Sequence, residues 1–178
     1  MNIEQGFGIW ITGLPSSGKS SVTGELVKKL MAGGAHVVVL ESDEMRKILT
    51  PEPTYSPEER DRFYRTLALL GELLTRQGIN VIFDATANKR AYRDHARTIL
   101  RKFIEVYVEC PIEVCRKRDP KGIYAKAASG LATAVPGIQA AYEPPLRPEL
   151  TLDGQASPAD GAGAVVSKLR KLHYIKES

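Results

Sequence analysis

Residues 13–20 read GLPSSGKS, two glycines spaced by four residues and closed by a lysine and a serine, directly after the apolar stretch 7–11. Gly13 and Gly18 let the backbone amides of Leu14, Pro15, Ser16 and Ser17 curl around an anion, where proline alone contributes no N–H. Lys19 reaches outer phosphates, and the Ser20 hydroxyl suits a magnesium ion. The flanks agree with that reading. Residues 8–12, GIWIT, are β-prone, and residues 21–31, from Ser21 on, have the apolar spacing of an amphipathic helix whose N-terminus adds positive potential. A strand, a phosphate-binding loop and a helix in this order imply a nucleoside triphosphate site.

Strand and helix signals alternate around this unit. Residues 36–40 (HVVVL) predict a short buried strand, and 43–49 a brief helix capped by Ser42 or Asp43. Ser56, Pro57 and Glu59 carry a capping-box start for a long helix ending at Gly78. Strands are predicted over 80–84, 103–109 and 150–152, and helices over 89–101, from Pro111, around 122–128 and over 158–172. Repeated βα units predict an α/β fold: a three-layer αβα arrangement of the P-loop NTPase type with about five parallel strands, its ligands at the carboxyl ends of the strands. The stretch 119–147 is rich in Gly, Ala, Pro and Lys and weakly periodic, which marks a lid within one domain covering 1–178.

The chain has 178 residues, 43% hydrophobic and 26% charged, enough for one α/β domain and too few for two ordinary ones. Its two cysteines, Cys110 and Cys115, have no histidine nearby to complete a metal site and fit a reducing cytosol. No apolar run reaches membrane-spanning length and the first ten residues lack a signal-peptide pattern, so a cytoplasmic protein without a membrane partner is expected. The net charge of +4 does not indicate nucleic acid, because bases are interspersed with acids, as in residues 58–62, EERDR. Anionic small molecules account for the charge.

Phosphoryl transfer needs an anion cradle, a metal, cationic clamps and a group that orients the acceptor. Asp43, just past the second strand, is the candidate orienting carboxylate, with helix capping as its other reading. Asp84 ends an apolar strand and either holds a magnesium-bound water or forms a turn. Arg46 and Arg60 are candidate clamps for an acceptor phosphate, while Arg118 and Lys121 lead into the lid. Asn88-Lys89 resembles the guanine motif of switch GTPases, but Ala91 stands where that motif needs a carboxylate.

Together, residues 8–14 (GIWITGL), 42–46 (SDEMR), 55–60 (YSPEER), 103–108 (FIEVYV), 118–124 (RDPKGIY) and 142–145 (YEPP) resemble the adenylylsulfate kinases. The likeness spans nearly the whole chain. It implies transfer of the γ-phosphate of ATP, with Mg2+, to the 3′-hydroxyl of adenosine 5′-phosphosulfate in sulfate assimilation. It also implies Asp43 as the catalytic carboxylate, Arg46 and Arg60 on the phosphosulfate, and Tyr55 as one face of an adenine sandwich. Members of that family often pair as homodimers. Four positions depart from its pattern: an expected Asn is Phe63, a Phe-Ile-Ser-Pro run is 85–88 (ATAN), a Phe-Thr-Gly is 135–137 (VPG), and an Asp-Gly-Asp is 41–43 (ESD). On this reading, Phe63→Asn with Val135→Phe lowers the KM for that acceptor. A kinase for another nucleotide-like or sugar-like acceptor, and a silent nucleotide-binding domain, are the alternatives left by the residues.

Overall fold

The computed structural model describes residues 4–132 and 134–176. Strand β1 (Gly8–Thr12) leads into helix α1 (Lys19–Ala32), followed by β2 (Val37–Glu41), α2 (Ser42–Leu49), α3 (Pro57–Arg76), β3 (Asn80–Asp84) and α4 (Arg90–Ile99). The chain continues through β4 (Phe103–Glu109), α5 (Ile112–Arg118), α6 (Ile123–Ala128), β5 (Leu150–Asp153) and α7 (Pro158–Lys171). The five strands form one sheet in the order β2-β3-β1-β4-β5, and every pairing is parallel.

Side chains that alternate along the central strands build two cores. Ile9 and Ile11 of β1, Ile82 of β3 and Val106 and Val108 of β4 face α1 and α7 through Leu26, Leu30, Val165 and Leu169. Their neighbours Trp10, Val81 and Phe83 point the other way, into Phe63, Tyr64, Leu67 and Ala96 of α3 and α4. Strands buried on both faces read as continuous apolar runs, which is why GIWIT and NVIFD were legible. The connections from β1 and β3 leave toward opposite faces of the sheet. Their loops diverge and open a crevice at the carboxyl ends of the strands.

Three local expectations are corrected. The second strand is an edge strand rather than a buried one: Val38 and Val39 stay 38% and 37% exposed, because β2 has a neighbour on one side only. Helix α2 is capped by Glu41, whose carboxylate accepts from the Glu44 N–H at 2.9 Å, so neither Ser42 nor Asp43 does that work. The box at α3 is half-formed. Ser56 Oγ accepts from the Glu59 N–H at 3.2 Å, but the Glu59 carboxylate turns outward to accept from the Thr54 N–H and hydroxyl and from Arg46.

Candidate active site

Residues 13–18 leave β1 and wrap over the N-terminus of α1. A side chain at Gly13 would put its Cβ 2.5 Å from the Val108 carbonyl and 2.7 Å from Ser17 Oγ, so the loop closes on the sheet only with glycine there. Gly18, at φ 108°, is the N-cap of α1 and offers no side chain to its amides. The first N–H groups of that helix therefore face the crevice without a cap, the arrangement that receives an anion. Lys19 is buried and donates from Nζ to the Leu14 carbonyl at 2.9 Å. Burial pushes its ammonium below the ordinary lysine range, and the negative charge of Asp84 opposes that shift.

A cavity of about 940 Å³ runs from this loop to the far side of the crevice. That is near the upper end of small-molecule sites, about 300–1,000 Å³. Pro15, Ser16, Gly18, Lys19, Ser20, Ser21 and Arg118 line one end. Asp43, Arg46, Tyr55, Arg60 and Thr86 line the other, with Asp84 between and Lys121, Val135 and Pro136 contributed by the lid. Gly13 packs against the Val108 carbonyl and Ser17, and the Ser17 N–H donates to the Leu14 carbonyl at 3.2 Å, contacts that set the curl of the loop.

The acceptor-side groups hold one another. Arg46 is buried, donates to Glu59 at 3.3 Å, and lays its guanidinium 4.0 Å from the centroid of Phe63 and 5.1 Å from that of Tyr55. Arg60 donates from Nε to the Tyr55 carbonyl at 3.2 Å and from Nη2 to the Ala134 carbonyl at 2.6 Å. Tyr55 adopts φ 57° and remains 40% exposed, its ring available on the cavity wall. Phe63 is 1% exposed beneath Arg46, so its ring supports a cation. Val135 lines the cavity.

Carboxylates meet at the ends of the strands. Register pairs Asp84 with Ile11 of β1 and with Glu41 of β2. Asp43, the second residue of α2, accepts from Lys121 Nζ at 2.6 Å. That hydrogen bond is the main reason the Lys121 ammonium sits above its ordinary range, and Glu41, 3.7 Å away, adds to it. Among the described residues no three His, Cys, Asp or Glu side chains form a metal cage. A magnesium ion does not need one: it takes one or two protein ligands and completes its shell with phosphate oxygens and water. Ser20 and Asp84 on one cavity wall fit that requirement.

Residues missed in the sequence also build the site. Gly154, after β5, packs so closely that a Cβ would lie 2.4 Å from the Ser17 carbonyl, and its own carbonyl accepts from Arg118 at 2.8 Å. The Asp153-Gly154 dipeptide at a strand end was the available signal. Tyr124 of α6 donates to the Pro15 carbonyl at 2.9 Å and ties the lid to the loop. Thr12 donates to the Thr86 carbonyl at 2.6 Å, which leaves its oxygen to accept from the Tyr142 hydroxyl at 3.0 Å.

Residues 5–153 match the family profile described as adenylylsulphate kinase. The chain belongs to the adenylylsulfate kinase family. A probable adenylyl-sulfate kinase of Pyrococcus abyssi is 38% identical over 172 residues, covering 96% of this chain and 99% of that protein. An adenylyl-sulfate kinase of Rippkaea orientalis is 41% identical over 173 residues, covering 97% and 96%. The Mycobacterium tuberculosis APS kinase CysC, solved in complex with AMPPNP and APS, superposes with a TM-score of 0.88 at 34% identity, over 93% of this chain and 98% of that one. Likeness to the adenylylsulfate kinase family therefore extends through the lid and both ends of the cavity.

Proposed function

We propose that this chain transfers the γ-phosphate of ATP to the 3′-hydroxyl of adenosine 5′-phosphosulfate, releasing ADP and 3′-phosphoadenosine 5′-phosphosulfate. The observation that carries this reading is the single cavity joining an uncapped phosphate loop to a wall of Asp43, Arg46, Tyr55 and Arg60. Membership of the family, and the similar structure that holds both AMPPNP and APS, support it.

In this reading the amides of the loop, Lys19 and Arg118 hold the polyphosphate, and Ser20 with Asp84 holds magnesium, which neutralises charge on the phosphates when bound. Asp43 lies where an acceptor hydroxyl enters and takes its proton as the new P–O bond forms. Arg46 and Arg60 present cations to the phosphosulfate. Tyr55 offers one aromatic face to the acceptor's base, and Val135 covers the other with a smaller apolar surface. Lys121 brings a positive charge from the lid to the reacting centre. Among the described residues no helix is long and apolar enough to cross a membrane. The free, buried Cys110 and Cys115 support a reducing, cytoplasmic setting.

The test is ADP release with ATP and Mg2+, measured with and without adenosine 5′-phosphosulfate. Strong stimulation by that acceptor, loss on chelation of Mg2+, and a fall of about 100-fold or more in Asp43→Asn are expected. Turnover only with another acceptor overturns the assignment.

A further inference from the structure

We propose that Asn88 is a positioning residue, a latch that holds the cavity-lining arm of the lid over the acceptor end. The inference rests on the acceptor assignment above. Asn88 is 6% exposed and lies behind the cavity wall rather than on it. Its amide nitrogen donates to the Ala141 carbonyl at 2.9 Å, its amide oxygen accepts from Arg60 Nη1 at 3.4 Å, and its backbone carbonyl accepts from the Glu143 N–H at 2.8 Å. Arg60 in turn grips the Ala134 carbonyl. The arm is thus held at its start by Arg60 and at its end by Asn88, and these two side chains hold each other. Val135 and Pro136, which line the cavity, lie between the two grips.

An asparagine is chemically required for this bridge. One face of the side chain must donate to a carbonyl while the other accepts from a guanidinium, and a primary amide does both at once. The opposite orientation would set its NH2 against Arg60 and its oxygen against the Ala141 carbonyl. The preceding residue fixes the direction of the side chain. Ala87 adopts φ 42°, a left-handed conformation rare outside glycine, and is clasped by the Tyr64 hydroxyl on its N–H at 3.2 Å and by Arg93 on its carbonyl. Strained residues persist where their surroundings over-determine them.

The experiment compares the full chain with Asn88→Asp and Asn88→Ala. The Asp variant keeps an acceptor for Arg60 and sets a second oxygen against Ala141; the Ala variant loses both bonds. Asn88→Asp is expected to raise the KM for adenosine 5′-phosphosulfate about tenfold, the effect of one lost hydrogen bond in a charged network, and Asn88→Ala, which loses both, by at least as much, with the KM for ATP unchanged in each. Water should replace the acceptor more often, so ADP formed exceeds phosphorylated acceptor. Amide hydrogen exchange of residues 134–143 in the ligand-free chain should quicken about tenfold or more while β1 and β4 stay protected. An unchanged acceptor KM, or unchanged exchange in that arm, overturns the latch. If the unaltered chain shows no response to the acceptor, the acceptor assignment fails and the exchange rates alone decide the latch. If the Ala variant does not fold, the Asp variant carries the comparison.

Discussion

Lys121 Nζ donates to the Asp43 carboxylate at 2.6 Å, joining residues 78 positions apart and bringing the lid onto the proposed catalytic group. Both side chains are about half exposed, 55% and 54%, so water screens the pair and it contributes little to stability. On the proposed function its effect is on the reaction. Lys121→Ala should leave the melting temperature unchanged and lower kcat about 10- to 100-fold, as expected when a cation beside the transferring phosphoryl group is removed. A kcat within twofold of the unaltered chain, measured at saturating substrates, would refute that role.

Lys19 carries a pH signature. Its ammonium lies below the ordinary lysine range in the free chain because it is buried, and a bound polyphosphate favours the charged form. Between the lowered value and the ordinary lysine value, about 10.4, nucleotide binding should therefore take up protons. Calorimetry of ATP binding in alkaline buffers of different ionisation enthalpy reads this directly. Lys19→Ala should remove the uptake and abolish transfer while keeping the fold. Equal heats in all buffers for the unaltered chain would contradict the shift.

Gly71 sits inside the C-terminal half of α3, where alanine ordinarily improves a helix by about 1 kcal/mol. Here a Cβ would lie 2.1 Å from Cζ of Phe83, in the core. So close a contact puts the overpacking cost at the upper end of about 1–3 kcal/mol, which exceeds the propensity gain by up to about 2 kcal/mol. Gly71→Ala should lower the melting temperature by about 2–8 °C, and an equal or higher value would show that α3 can move away from the sheet.

Arg93 and Glu105 form a buried ion pair at 2.6 Å, with side chains 0% and 7% exposed. Taking one partner away leaves an uncompensated charge in the core, a cost of about 3–5 kcal/mol. Glu105→Ala should lower the melting temperature by about 6–20 °C in a chain of this size. Adding Arg93→Met should recover part of that loss. A double variant whose loss equals the sum of the two single losses would show that the two residues act separately.

The parts of this protein that are local in chain were legible before any coordinates. The loop at 13–20 needs glycines for backbone conformation and close approach, the buried strands are continuous apolar runs, and Ser56-Pro57 carries its own helix start. The edge position of β2 was not legible, because HVVVL reads the same whether one neighbour or two lie beside it. The cap at Glu41 was missed for a similar reason: Ser42 and Asp43 are commoner caps, and the geometry of a strand end decided otherwise.

Phe63 shows the limit most directly. As a position in a family pattern it reads as a missing acceptor contact, whereas in the folded chain it lies under the guanidinium of Arg46, 4.0 Å from its centroid. Which face of α3 meets α2 depends on how two helices pack, and one helix's periodicity does not contain that information.

From residues alone came the α/β class, the phosphate loop and a set of charged side chains of the right chemistry. Only the tertiary structure decided how these charges are used: Lys121 on Asp43, and Arg60 divided among Tyr55, Asn88 and Ala134. The physical reason is range. Glycine conformation, strand apolarity and helix caps act within a few residues, while a donor's choice of acceptor is made among groups that folding brings together from distant segments.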